Sequence, residues 1–350
     1  MRRIGAALLA MLLCVPAGAY DRVVPGAALQ FPRDAGSHPG HRIEWWYVTG
    51  HLDAAGGGPA VGFQVTFFRV RNPEAESNAS RFSPRQLLFA HAALADPARG
   101  HLLHDQRSAR ALPGLVEAAT GDTDLRIDDW SLRREGRGYH ARIPAGTFTL
   151  DLTLESTQPP MLQGDRGFSR KGPDPRHASY YYSEPQLRVG GRVIVEGRAR
   201  EVGGVAWLDH EWSSELLAPE AAGWDWLGAN LDDGGALMAF RIRGRNGDTL
   251  WASAAVRPAN GTTKGFAGDQ VRFATRRTWR SPRSGTAYPV SMDVQVGERI
   301  FHLEPLMDDQ ELDARASTGT LYWEGAVRLE GAAGGCGYLE LTGYAERVPF

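Results

Sequence analysis

Val61-Gly62-Phe63-Gln64-Val65-Thr66-Phe67-Phe68-Arg69-Val70 reads as a β-strand, with the alternation of a chain whose side chains point to opposite faces. Gln86 to Leu94, Leu125 to Leu132 and Thr147 to Leu154 repeat the pattern on the C-terminal side. Further along come Gln186 to Val195, Ala236 to Ile242, Thr249 to Val256, Val290 to Val296, Leu321 to Leu329 and Tyr338 to Tyr344. Asp232-Asp233-Gly234-Gly235 and Arg245-Asn246-Gly247-Asp248 separate runs as hairpin turns do. Helical periodicity is scarce, and Asp308 to Ala316 is the one short candidate. The pattern predicts an antiparallel all-β protein. Many evenly spaced short strands favour barrels, because closure removes exposed sheet edges.

Working outward, the N-terminus carries Met1-Arg2-Arg3, an apolar run from Ile4 to Val15, Pro16 and Ala17-Gly18-Ala19. That order of charged, hydrophobic and small residues predicts a signal peptide over 1–19, cleaved after Ala19, and a periplasmic or secreted protein. Loss of Arg2 and Arg3 would leave 37 bases against 41 acids, a net charge of −4. No Lys/Arg cluster resembles a nucleic-acid surface, and no later segment reads as transmembrane. Cys14 would leave with the leader, so Cys336 could form no internal disulfide.

Gln158 to Tyr182 is the least regular stretch, with Pro159-Pro160, Gly172-Pro173 and Asp174-Pro175, and reads as a long functional loop. Ala218 to Gly223 is thin in anchoring residues. The chain therefore divides into two domains, 37–213 and 214–350, each long enough for its own core.

Three segments concentrate chemistry. In the first, His41 to His51, Glu44, Trp46 and Val48 share one strand face. Glu44 and Trp46 are candidate ligand contacts, or else the segment is a first barrel strand with Arg42 or Glu44 paired. In the second, Arg170-Lys171-Gly172 precedes Tyr180-Tyr181-Tyr182, where Tyr180 and Tyr182 either rim a pocket or clamp the loop. In the third, Trp207-Leu208-Asp209-His210-Glu211-Trp212, alternation puts Asp209 and Glu211 beside one indole and His210 beside another. Asp209 and Glu211 form a candidate acid pair in which one proton is retained. The alternative is that both acids are paired with arginines or backbone donors. No metal motif, phosphate cradle (the Gly56-Gly57-Gly58 run included) or Gly-x-Ser-x-Gly elbow is present, so no metal or cofactor is expected.

The stretches HPGHRIEWWYVTGHL (38–52), GFQVTFFRVR (62–71), YYSEPQLRVGG (181–191), AWLDHEWSS (206–214) and GWDWLGANLDDGGALMAF (223–240) resemble the AttH-like and carotenoid 1,2-hydratase-like proteins. The resemblance runs from about His38 to Glu346. It implies two antiparallel lipocalin-like β-barrel domains packed together. It also implies a hydrophobic, lipid- or isoprenoid-like small molecule as partner, held in an interdomain aromatic groove. Secreted members of the group are linked to an ABC export system, which makes exporter components possible partners. Its hydratases add water to an isoprenoid C=C bond without a redox cofactor and use a His and a Trp separated by one residue, a pattern matched by His210 and Trp212. Trp226 and Asp232 lie in the region of the family's downstream Tyr and Asp, and no tyrosine lies there. On this reading Asp209 protonates the alkene, Trp212 and Trp226 flank the cation, and His210 directs water.

Overall fold

The computed structural model describes residues 20–54, 60–72, 75, 78–80 and 82–347. The expected leader over 1–19 and the Gly56–Gly58 run lie outside them. The first sheet opens with β1 (Ile43–Ala54), β2 (Val61–Arg71), β3 (Gln86–Ala95) and β4 (Leu103–Arg110). It continues through β5 (Val116–Ala118), β6 (Asp124–Ile127), β7 (Trp130–Glu135), β8 (Gly138–Pro144) and β9 (Phe148–Glu155). Two short strands, β10 (Met161–Leu162) and β11 (Phe168–Arg170), precede the long pair β12 (Ala178–Val195) and β13 (Arg198–Ser213).

The second sheet begins with β14 (Ala221–Leu231), β15 (Ala236–Gly244), β16 (Thr249–Arg257) and β17 (Lys264–Ala267). It ends with β18 (Val271–Arg280), β19 (Ala287–Val296), β20 (Arg299–Pro305), β21 (Glu311–Ala314), β22 (Thr320–Gly331) and β23 (Gly335–Leu341). Every pairing is antiparallel, and in each sheet the first strand lies beside the last: β1 against β13, and β14 against β23. The fold is all-β, two-domain and lipocalin-like. The first sheet curls into a nearly closed barrel. The second is a half-barrel whose end strands, β17 and β18, do not pair. Exposed arginines on β18, among them Arg272, Arg276 and Arg277, guard that edge against pairing with another chain.

Four expectations change. Asp308 to Ala316 is not helical but contains β21, which pairs with β22. Its acids alternate with apolar residues, and Leu312 and Ala314 are buried. Leu125 to Leu132 is not one strand, because Asp128 takes a positive φ of 56° and turns β6 into β7. Tyr338 to Tyr344 leaves the sheet at Leu341. The Gln158–Tyr182 stretch is not a free loop: β10 and β11 both pair with β12, whose own first residues fall inside it.

The domains pack closely where side chains are small. A Cβ on Gly62 would lie 2.5 Å from Ala326 Cβ and 2.6 Å from the Tyr338 hydroxyl, so the two sheets approach over that glycine. His51 Nε2 bonds the Gly337 carbonyl at 3.0 Å, and the Gln186 amide donates to Asn230 Oδ1 at 2.6 Å. Gly62→Leu is therefore expected to force the sheets apart and cost about 1–3 kcal/mol by overpacking. A thermal melt with an unchanged midpoint would show that this contact does not set the domain spacing.

Candidate functional site

Strands β1, β12 and β13 form a partition between two groups of candidate residues. Pairing sets Trp46 opposite His210, Tyr47 opposite Asp209, and Tyr182 opposite His210. Because consecutive strand residues face opposite ways, Trp46, Tyr180, Tyr182, Leu208 and Trp212 enter the first barrel's core. Tyr47, Tyr181 and Trp207 instead join Trp226 and Tyr338 in the cluster between the domains. Asp209, His210 and Trp212 are thus not one site. Asp209 faces the interdomain space, while His210 and Trp212 face the barrel interior.

Inside the barrel, Glu44 is fully buried and organises its neighbours. Arg69 Nε and the His38 backbone N–H donate to Oε2 at 2.8 and 2.9 Å. His38 Nδ1 and His210 Nε2 bond Oε1 at 2.7 and 2.9 Å. The imidazoles are sandwiched by indoles: His210 stacks on Trp46 at 4.4 Å between centroids, and His38 on Trp212 at 3.8 Å. Burial alone would raise the Glu44 carboxyl, but hydrogen bonds from both histidines and the charge of Arg69 hold it well below the usual carboxylate range. Burial lowers His210 to about 4, so it is neutral at pH 7.

Ligand atoms of His38, Glu44 and His210 lie within 4.8 Å of one another, a grouping that could hold a metal ion and that histidine spacing alone did not suggest. Here both Glu44 oxygens are already engaged and a guanidinium sits in the same cluster, which opposes a cation. The N-terminal segment covers this end of the barrel. Phe31 packs edge-on to Tyr182 at 4.8 Å, the Val24 N–H donates to the Tyr180 hydroxyl at 3.0 Å, and Trp46 Nε1 donates to the Ala35 carbonyl at 3.0 Å. Glu44, Trp46, Tyr180, Tyr182, His210 and Trp212 therefore form a packed, internally bonded clamp.

Between the domains lies a cavity of about 330 Å³. Trp45, Tyr47, Trp224, Trp226 and Phe240 contribute aromatic walls, and Asp209, Glu211, Glu324, Glu340 and Lys171 bring ionisable groups. Asp209 accepts hydrogen bonds from Ser183 Oγ (2.5 Å), Tyr181 Oη (2.6 Å) and Trp207 Nε1 (2.7 Å). Trp226 Nε1 in turn donates to the Tyr181 hydroxyl at 3.0 Å. Burial pushes Asp209 up to about 7 despite those donors, and the nearby Glu211 adds only a lesser share. The expected raised acid is therefore Asp209, with burial rather than crowding by Glu211 as the main cause. Glu211 Oε1 lies 2.8 Å from Lys171 Nζ, so a buried ammonium balances it.

Asp209, Glu211 and Trp226 thus meet at the cavity, whereas Asp232 lies on the exposed turn after β14. The sequence reading missed Lys171, Trp224, Glu324 and Glu340. Strand parity could have supplied Trp224, which shares a face with Trp226. The two glutamates come from strands more than a hundred residues beyond Asp209, and only the docking of the domains brings them near. A Cβ on Gly228 would fall 2.4 Å from Trp226 and 3.0 Å from Trp207, so that glycine lets the indoles pack.

This architecture, two lipocalin-like sheets with an acid-lined aromatic cavity between them, defines a two-domain lipocalin-like fold. Within it the chain belongs to the AttH-like family, whose profile matches residues 22–344. A crystal structure of a candidate AttH from Nitrosomonas europaea is 55% identical, covers 93% of this chain and 99% of its own, and superposes with a TM-score of 0.87. Kievitone hydratase from Nectria haematococca shares the fold at 15% identity, with a TM-score of 0.69 over 94% of this chain and 98% of its own. The structure of CghA with Sch210972 shares it at 14% identity and a TM-score of 0.53, over 95% and 98%. A comparison with curated proteins found no match.

Proposed function

We propose that the protein binds a hydrophobic, lipid- or isoprenoid-like small molecule in the interdomain cavity. The observation that carries this is the cavity itself: about 330 Å³ of space walled by aromatic rings from both domains. That volume is at the small end for ligand sites, roughly 300–1,000 Å³, and suits the end of a chain better than a whole carotenoid. Export by the expected leader and service to an ABC export system belong to the same proposal, since a carrier of an apolar molecule works outside the membrane it supplies. The fold likeness to a hydratase and to a ligand-bound CghA supports a small-molecule role.

The Asp209 carboxyl, poised near 7, favours a second reading, acid-catalysed hydration. Its proton would pass to one alkene carbon, leaving a tertiary cation at the other, against the Trp226 ring. Water would then add to the cation and return a proton to the Asp209 carboxylate. His210 and Trp212, turned into the first barrel, take no direct part. Trp224, on the same face of β14 as Trp226, is the second indole available to the cation. Native mass spectrometry of the protein incubated with a bacterial lipid and isoprenoid extract tests both readings. A retained ligand of unchanged mass supports carriage, and a product heavier by one water supports hydration. An empty protein after exposure to the whole extract would overturn both.

A further inference from the structure

The cavity's carboxyls fall into two groups. In one, Lys171 shows how the fold holds an ammonium: Nζ lies 2.8 Å from Glu211, 4.3 Å from the Phe240 centroid and 4.8 Å from that of Tyr181. Carboxylate and aromatic faces together compensate the buried cation. In the other, Glu324 and Glu340 are direct register partners on β22 and β23, and both line the cavity. This second group has aromatic neighbours, with Tyr47 and Tyr322 beside Glu324 and Trp224 beside Glu340, but among the described residues no Lys or Arg forms a salt bridge with either carboxyl.

Glu324 is 3% exposed, yet its Oε1 completes no hydrogen bond of normal geometry. A buried acceptor left this way is desolvated without compensation, a cost that a ligand group supplying a donor would remove. Among the described residues, no third His, Cys, Asp or Glu is grouped with these two carboxyls to complete a metal site. An ammonium needs only one or two acceptors and an aromatic face.

We propose that Glu324 and Glu340 form a head-group subsite that recognises a cationic amine on the ligand, with its apolar tail lying along the Trp226 wall. This rests on the cavity being the ligand site. Burial raises both carboxyls, with Glu340 adding to the rise of Glu324 and Glu211 to that of Glu340, so a counter-charge at the subsite would be favoured.

Tryptophan fluorescence titrations with decylammonium chloride and with decanol, which share a tail, test the inference. Decylammonium is expected to bind at least about tenfold tighter, the scale of one charge-assisted hydrogen bond. The Glu324→Gln/Glu340→Gln variant is expected to bring the ratio to about one. Decanol binding without preference for the amine would overturn the head-group subsite and leave the cavity as a ligand site. Binding of neither probe would overturn both. A preference that survives in the double variant would also reject these residues as its source. If the variant fails to fold, decyltrimethylammonium replaces it: a gain over decanol no larger than for decanoate would reject the subsite.

Discussion

Glu44→Ala is expected to lower the melting temperature by on the order of 10 °C. Among the described residues Glu44 is the only carboxylate bonded to the Arg69 guanidinium, which is 2% exposed and also held by Gln86 Oε1 and the carbonyls of His38 and His41. Deleting one partner of a buried pair strands the other, at a cost of about 3–5 kcal/mol. His38 and His210 lose their shared acceptor as well. In domains of this size each kcal/mol is worth roughly 2–4 °C. Glu44→Leu combined with Arg69→Met is expected to recover much of the loss, because replacing a whole buried pair with packed apolar groups is often neutral. A melt of Glu44→Ala within the error of the parent would show that the clamp does not hold the barrel.

The same group governs acid stability. The folded-state carboxyl lies below its ordinary value of 4.5, so its stabilisation is complete above that value and is lost as pH falls beneath it.

Asp209→Asn is expected to separate binding from chemistry. If hydration takes place, removing the acid is expected to cost about 10²–10⁴ in turnover, with the ligand still retained in native mass spectra. The change also has a signature independent of turnover. Asp209 titrates near 7 when folded and at 3.8 ordinarily, so between those values the folded chain binds more protons and loses stability as pH rises. Glu340 acts in the same direction, from 4.5 to about 7.

His41, His91 and His210 oppose them. Burial depresses each from 6.5, to about 4, 3 and 4, so they add stability as pH rises toward 6.5. Above about 6.5 only the carboxyls still act. In Asp209→Asn the loss of stability from pH 6.5 to 7.5, followed by the melting temperature, is expected to shrink, by up to about 1.4 kcal/mol per pH unit for one proton. Identical pH profiles in variant and parent would place the Asp209 proton elsewhere. Unchanged turnover in the variant would reject its role as acid.

Much of the fold was legible because its physics is local. Alternation in Val61–Val70 or Thr147–Leu154 states which residues face a core, and it correctly separated Asp209 from His210 by face. It failed where one residue decides the matter. Asp128 at positive φ split an apparently continuous run, and Asp308–Ala316 mimicked a helix until its pairing with β22 was seen. The Gln158–Tyr182 stretch looked like loop because its strands are two and three residues long and rely on β12 for partners.

The candidate site divided along the same line. By itself the sequence determined the β class, the dense Trp-, acid- and His-bearing strands, and the two faces onto which their side chains fall, because a strand's period of two is a property of the backbone. It did not determine what each face meets. Tertiary structure decided that His210 and Trp212 are sealed against Glu44 and His38, and that Asp209 and Glu211 share a cavity with Lys171, Glu324 and Glu340. It also decided that Asp232 is left in solvent. Burial, charge compensation and titration depend on distances between strands far apart in the chain, and those distances exist only once the two sheets have packed.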